Sequence, residues 1–190
     1  MADIFRSNIR VYGKHGQYLE ALSPNVQKKR KDLTEEEFLA LPEIERTKHA
    51  FESYVDVYVV APIVGYLFQR TAERDPGSDK NIMEGAVASH RDKLLFSYEL
   101  LMLLDKKSEP DLNERIRRAF RATDELVSAG MEVFTKYALG GIEVLYEKIV
   151  EGAASPEDIV RNLMDFAEEW DEKFLEAATP LDLNALFNRP

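Results

Sequence analysis

Residues 51–69 read FESYVDVYVVAPIVGYLFQ and form the most apolar stretch of the chain. The part from Val57 to Phe68 contains no charged residue, so little of its surface can face water. Apolar side chains near its start lie three or four positions apart, as one helical face requires: Phe51, Tyr54, Val55 and Tyr58. We therefore expect a central helix that is buried on most sides, with Tyr58 and Val64 in the core.

The same stretch is rich in Val and Tyr, which also favour strands. The length of the segment favours a helix, because the helical spacing of apolar residues runs from about Glu43 to about Arg74 and ordinary strands are far shorter. Pro62 lacks a backbone N–H and clashes with the preceding turn, so we predict a kink there. The uncharged run is shorter than the roughly 20 apolar residues that a transmembrane helix needs. We therefore expect no membrane contact.

The chain has 190 residues, which is the length of one domain and enough to bury a core without metals or disulfides. It has no Cys, which excludes disulfide scaffolds, thiol catalysis and Cys-based zinc sites. Its first residues lack the basic flank and apolar run of a secretory signal, so we expect a cytoplasmic protein. The net charge of -10 argues against a surface that coats nucleic acid.

The charges are unevenly distributed along the chain. Residues 1–33 carry a net positive charge with aromatic residues between the basic ones, and we interpret them as an irregular N-terminal arm because Gly13 and Gly16 should interrupt any helix there. Residues 9–12 alternate as a short strand would, but no nearby segment offers a convincing partner. Residues 143–176 are strongly acidic. We expect the arm to pack its aromatic side chains on the helical body, with contact to a partner or a nucleic-acid backbone as the alternative.

Residues 34–190 read as a helical bundle with a short apolar C-terminal tail. Thr34 and Glu37 have the spacing of a capping box at the start of a short helix. A third helix is predicted from about Asp79 to Asp105, and a fourth begins near Asp111 and should carry its apolar residues Ile116, Ala119 and Phe120 inward. We predict an all-α fold: a single-domain helical bundle of about five main helices with a kinked, buried central helix.

Two further signals concern the second half of the chain. Gly130, Gly140 and Gly141 interrupt a helical pattern that runs to Val150, and each interior Gly costs about 1 kcal/mol relative to Ala. We expect a bend or a new helix near Leu139, or else a close helix crossing. Ser155 followed by Pro and two acidic residues is a strong helix start, and this last helix should run to about Ala178.

Enzyme signatures are absent from the sequence. There is no nucleophile elbow, phosphate-binding loop, dinucleotide fingerprint or His-Glu-x-x-His motif. A di-metal helical bundle needs Glu-x-x-His pairs, which do not occur among the three His, although Glu45, His49 and Glu52 share a helical face. Arg10 and His15 have the spacing of an Arg-x-x-x-x-His ribonuclease motif, which we interpret as a chance match because Gly13 lies inside it. We predict no catalytic residue, metal or cofactor.

Clusters of positive charge are therefore the candidate binding residues, for a protein partner or for phosphate groups. They are Arg6, Arg10 and Lys14 in the arm, Lys28, Lys29, Arg30 and Lys31 at its end, and Arg115, Arg117, Arg118 and Arg121 on the outer face of the fourth helix. We expect a non-catalytic interaction or accessory subunit of a larger assembly, binding a protein partner or a second copy of itself. A nucleic-acid-contacting accessory protein is the alternative, and a metal-dependent helical-bundle enzyme ranks third.

Overall fold

The computed structural model describes residues 4–23, 34, 50–77, 79–121 and 123–177. These ranges are mostly helical, as predicted, with one two-stranded sheet. The strands are β1 (Ile9–Tyr12) and β2 (Asp79–Ile82). The helices are α1 (Gly13–Leu22), α2 (Tyr54–Leu67), α3 (Glu84–Ser89), α4 (Arg91–Leu104), α5 (Leu112–Phe120), α6 (Asp124–Leu145) and α7 (Pro156–Ala177), and α6 continues as a π-helical turn over Tyr146–Val150. Within the described ranges, no helix is long and apolar enough to cross a membrane.

Helix α2 is the centre of the core. Tyr58 and Val64 are buried, as predicted. The helix is shorter than the sequence pattern indicates, because Gln69 has a positive φ of 54° and the backbone N–H groups of Gln69 and Arg70 turn back to the last helical carbonyls. The predicted extension to Arg74 is therefore wrong. The upstream extension is wrong for residues 50–53, which are not helical because α2 begins only at Tyr54, and residues 43–49 lie outside the described ranges. The kink at Pro62 stays a prediction.

Helices α2 and α6 cross closely through their glycines. A Cβ atom on Gly65 would meet the backbone carbonyl of Tyr137, and a Cβ atom on Gly141 would meet that of Ala61. Gly140 similarly faces the backbone that follows α2. Because α6 runs through all its glycines without a break, the prediction of a new helix near Leu139 is wrong, and the alternative of a close helix crossing is confirmed. The bend stays a prediction.

The N-terminal residues form regular structure. Strand β1 pairs antiparallel with β2, with Ile9 opposite Ile82. Helix α1 then contains Gly13 and Gly16, so the prediction that these glycines break a helix is wrong. Gly13 has φ 57°, which allows the sharp entry from strand into helix. The predicted start of the third helix at residue 79 is also wrong, because those residues form β2.

The N-terminal aromatic side chains pack on the helical body, as expected. Phe5 is buried and lies edge-on to Phe134 of α6, with 5.6 Å between ring centroids. Tyr18 stacks on Tyr146 of the π-helical turn at 4.0 Å. The predicted boundary at residue 33, the capping-box helix after Thr34 and the apolar tail lie outside the described residues.

Helix α7 begins as the sequence predicts. The backbone N–H of Asp158 donates to Ser155 Oγ at 3.2 Å, and the Asp158 carboxylate accepts from the backbone N–H groups of Ala154 and Ser155. On the inner side of α7, Phe166 is buried and stacks on Phe68 at 5.8 Å. α7 packs on α2 and the π-helical turn. On its opposite side, Val160, Met164 and Leu175 are exposed.

Candidate functional site

A polar cluster around Glu143 joins three parts of the chain. The buried Glu143 carboxylate contacts Lys14 Nζ at 2.8 Å, His15 Nε2 at 3.0 Å and Arg70 Nε at 3.1 Å. Arg70 also donates to Glu147 Oε1 at 2.6 Å. Helix α1, the segment after α2 and helix α6 therefore meet at one carboxylate.

The charges in this cluster follow from burial and hydrogen bonding. Burial lowers the pKa of His15, and the opposing effect of Glu143 does not restore it. Burial alone would raise the pKa of Glu143, but the hydrogen bonds from Lys14, Arg70 and His15 outweigh it and lower that pKa below its ordinary value. The stable arrangement is thus a neutral imidazole that donates from Nε2 to an ionised carboxylate.

His15 Nδ1 is buried and has no hydrogen-bond partner among the described residues. It borders a cavity of about 10 Å³ that is also lined by Arg10, Tyr58 and Thr135. That volume holds about one water molecule, so the two residues of the Arg-x-x-x-x-His spacing share a cavity that is too small for a substrate. We interpret the cluster as a structural connection between helices.

A second, larger space lies on the described surface. An open groove of about 540 Å³ runs along α6 and is lined by Glu73, Arg74, Glu132 and Lys136. Lys136 pairs with both glutamates, at 2.9 and 3.6 Å, so the charges on its walls largely neutralise one another. In the described part of the chain, no group of three His, Cys, Asp or Glu residues is arranged to hold a metal ion; Glu45 and His49 lie outside that part.

Arg115 does not lie on the outer face of its helix, and that part of the prediction is wrong. It is 5% exposed and donates to the backbone carbonyls of Leu103, Glu109 and Pro110 at 2.8–2.9 Å. The last carbonyls of a helix have no partner within the helix, and the guanidinium satisfies one of them at the end of α4. Arg115 therefore fixes α5 against α4.

The other predicted binding residues are spread over two regions. On and next to α5, Arg117 pairs with Glu114 at 3.4 Å, Arg118 pairs with Glu109 at 2.7 Å, and Arg121 is exposed at the C-cap. Arg6 and Arg10 are exposed near β1, and Lys14 belongs to the Glu143 cluster. The residues Lys28, Lys29, Arg30 and Lys31 lie outside the described ranges. Among the predicted binding residues that the structure describes, Arg117, Arg118 and Arg121 lie together on and next to α5.

Helix α5 has its apolar side outward. Leu112, Ile116 and Phe120 lie four positions apart on one face and are 38–51% exposed; we call these three residues the α5 stripe. The prediction that Ile116 and Phe120 point inward is wrong, because the opposite side of the helix buries Arg115 and Ala119 instead. The sequence spacing indicated an amphipathic helix, but spacing alone does not tell which side faces the core.

The α5 stripe is the best candidate for a functional site. Contiguous exposed apolar side chains with a polar rim mark binding surfaces more often than single exposed apolar side chains do. Arg117 and Arg121 lie along the polar edge of the α5 stripe. Comparison of the chain with protein-family models, with curated proteins and with solved structures finds no significant match in any of the three. The function is therefore inferred from the residues of this chain.

Proposed function

We propose that the protein is a non-catalytic interaction or accessory subunit of a larger protein assembly, and that the α5 stripe is its docking surface. One observation carries this proposal: α5 buries an arginine and exposes Leu112, Ile116 and Phe120. A helix that served only to close the core would do the reverse, because burying apolar surface stabilises a fold and leaving it in water does not.

The inverted orientation of α5 is firmly held. Arg115 anchors the helix through three carbonyls, and the Asp111 side chain caps it by accepting from the Glu114 backbone N–H at 2.9 Å. The helix also packs on α4 and α6. A surface that is already ordered loses less entropy on binding, so this arrangement favours a rigid docking helix.

The composition of the surface fits a protein partner. Interfaces have an apolar centre with aromatic residues and a rim that includes Arg, and a few central residues supply most of the affinity. Phe120 and Ile116 would be the central residues, and Arg117 and Arg121 the rim. The partner would offer an apolar surface with acidic edges.

Copurification from the native host tests the proposal. Ile116→Glu places a charge in the α5 stripe while keeping a good helix former, and should lose partners that the wild type retains. Met83→Ser is the control, because Met83 is 62% exposed and precedes α3. Circular dichroism should show both variants folded. Retention of the same partners by the Ile116→Glu protein would contradict the proposal.

Nucleic-acid binding is the competing outcome. Filter binding should compare the wild type with a variant in which Lys28 to Lys31, Arg117 and Arg121 are Ser, while the anchoring Arg115 is kept. If these side chains contacted duplex DNA, each lost contact would lower the log-log salt slope by about 0.9. Tight binding that this variant loses would replace the protein-partner proposal, and we expect no binding.

A further inference from the structure

Helix α7 carries a second exposed apolar row. Val160, Met164 and Leu175 lie on its outer side and are 54–73% exposed. Their spacing of four and eleven positions keeps them on one face, since eleven residues make about three turns. We call these three residues the α7 face.

The α7 face has acidic edges. Glu157, Glu168 and Asp171 are exposed and lie within one turn of its apolar residues along the same side of the helix. Arg161 is exposed on that side as well, but it forms an ion pair with Asp158, so the net charge there stays negative. The α5 stripe has the opposite character, because Arg117 and Arg121 border it. Both surfaces are apolar rows on helices, and their bordering charges are of opposite sign.

We propose that the occupant of the α5 stripe is the α7 face of a second copy of this chain, so that copies associate head to tail. This inference rests on the proposed function, because it uses the α5 stripe as the docking surface and names its partner. Opposite charges at the rim favour this pairing over α5 against α5, which would bring arginines together. α5 packs on α4 and α6 and α7 packs on α2 and the π-helical turn, so each copy presents both surfaces.

The geometry of the two surfaces sets the type of assembly. The α5 stripe and the α7 face are different patches, so the contact between two copies is heterologous. Repeating this contact gives a ring if the rotation between neighbouring copies closes, and a filament if it does not. At about 1.5 Å per residue, the nine residues of α5 span roughly 14 Å and the 22 residues of α7 roughly 33 Å, so the shorter row fits along the longer one. A contact of this size belongs with small, weak interfaces.

Sedimentation velocity over a wide range of protein concentration tests the inference on the full chain. The wild type and the Met83→Ser control should gain mass as concentration rises, and added salt should weaken the association. Ile116→Glu places a negative charge opposite the acidic edge of the α7 face, and Met164→Lys places a positive charge opposite the arginines of the α5 stripe. Both substitutions therefore introduce repulsion between like charges. Each variant alone should associate at least about 30-fold more weakly, as hot-spot residues do.

Mixing the two variants gives the decisive result. The Met164→Lys protein keeps an intact α5 stripe and the Ile116→Glu protein keeps an intact α7 face, so an equimolar mixture should form a one-to-one complex. An α5-to-α5 contact would leave Met164→Lys association unchanged and the mixture unpaired, which would overturn the inference.

The proposed function and this inference fail in different ways. A wild type that stays monomeric at every concentration, but loses copurifying partners on Ile116→Glu, overturns self-association and leaves the docking surface in place. If Ile116→Glu changes neither association nor copurification while remaining folded, both the inference and the proposed function are wrong.

Discussion

His15 Nε2 lies 3.0 Å from Glu143 Oε1, although 128 positions separate the two residues in the chain. This buried contact ties α1 to the last turn of α6. Lys14 and Arg70 approach the same carboxylate with half-exposed side chains, so their ion pairs are weakened by solvent. The buried imidazole contact should therefore contribute more than either cation.

Replacement of Glu143 by Gln should destabilise the fold. The amide keeps the shape of the side chain but removes the charge that Lys14, His15 and Arg70 share, and a lost buried charge-assisted hydrogen bond costs about 1–3 kcal/mol. Urea denaturation measures the change. Glu147→Gln is the matched control, because Glu147 is exposed, and should stay within about 0.5 kcal/mol of the wild type. Equal effects of the two substitutions would contradict the role given to Glu143.

The stability should depend on pH through the same pair. The pKa of His15 is lower in the fold than its ordinary 6.5, so the unfolded chain binds the proton first and stability falls as pH drops below about 6.5. The pKa of Glu143 is also lowered from 4.5, so a second loss follows as pH falls below that value. His15→Gln should remove the loss of stability that begins near pH 6.5 and leave the loss that begins below pH 4.5. An unchanged decline between neutral pH and pH 5 in His15→Gln would be inconsistent with this assignment.

The glycines of the α2–α6 crossing should not tolerate a methyl group. Gly141→Ala brings Cβ against the Ala61 carbonyl, which is backbone and can move only with its helix. Such overpacking typically costs 1–3 kcal/mol or somewhat more, and thermal unfolding should show it. Gly85→Ala is the control, because no atom lies within 4 Å of its added Cβ. Gly85→Ala should be neutral or stabilise by roughly 0.5–1 kcal/mol.

Arg115 should be replaceable by neither Lys nor Met. Lys cannot reach three carbonyls with the fixed fork of a guanidinium, and either substitution leaves buried acceptors without donors, at about 1–3 kcal/mol each. Chemical denaturation of Arg115→Lys beside Arg117→Lys measures this difference, since Arg117 is exposed and pairs only weakly with Glu114. We expect Arg115→Lys to lower the free energy of unfolding strongly and Arg117→Lys to leave it almost unchanged.

Val64 tests the burial of α2 directly. It is fully buried, and Val64→Asp would place an unpaired charge in the core, at a cost of several kcal/mol. The variant should be unfolded by circular dichroism. Val64→Ala is the milder comparison and should remain folded with reduced stability. A folded Val64→Asp protein with an unchanged melting temperature would show that α2 is not the core helix.

The helical class and several boundaries could be predicted because their causes are local. The Ser155 cap acts within four residues, and the apolar residues of α2 are close in the chain. Strand β2 could not be predicted, because Asp79–Ile82 is mostly polar and pairs with a segment about seventy positions earlier. Gly13 and Gly16 enter α1 because tertiary contacts outweigh their weak helix propensity.

The candidate surface was predicted only in part. An amphipathic α5 with arginines was correctly recognised, but its orientation depends on Arg115, whose partners are backbone carbonyls. Backbone acceptors exist at every position, so they leave no pattern in the sequence. A buried cation of this kind is identified only when the end of α4 is seen beside it.

The contact of α1 with Glu143 and Tyr146 has a consequence for protein synthesis. Residues 9–22 are synthesised before the segments that they contact, because β1 pairs with β2 and α1 contacts the end of α6 and the π-helical turn. Such non-local contacts form slowly because a long loop must close first. Strand β1 therefore lacks its partner until residue 82 has been synthesised, and α1 lacks its contacts with Glu143 and Tyr146 until those residues have been synthesised. During that interval Val11, Leu19 and Leu22 are accessible to chaperones, and the N-terminal segment is expected to gain full protection from proteases only after the end of α6 has been synthesised.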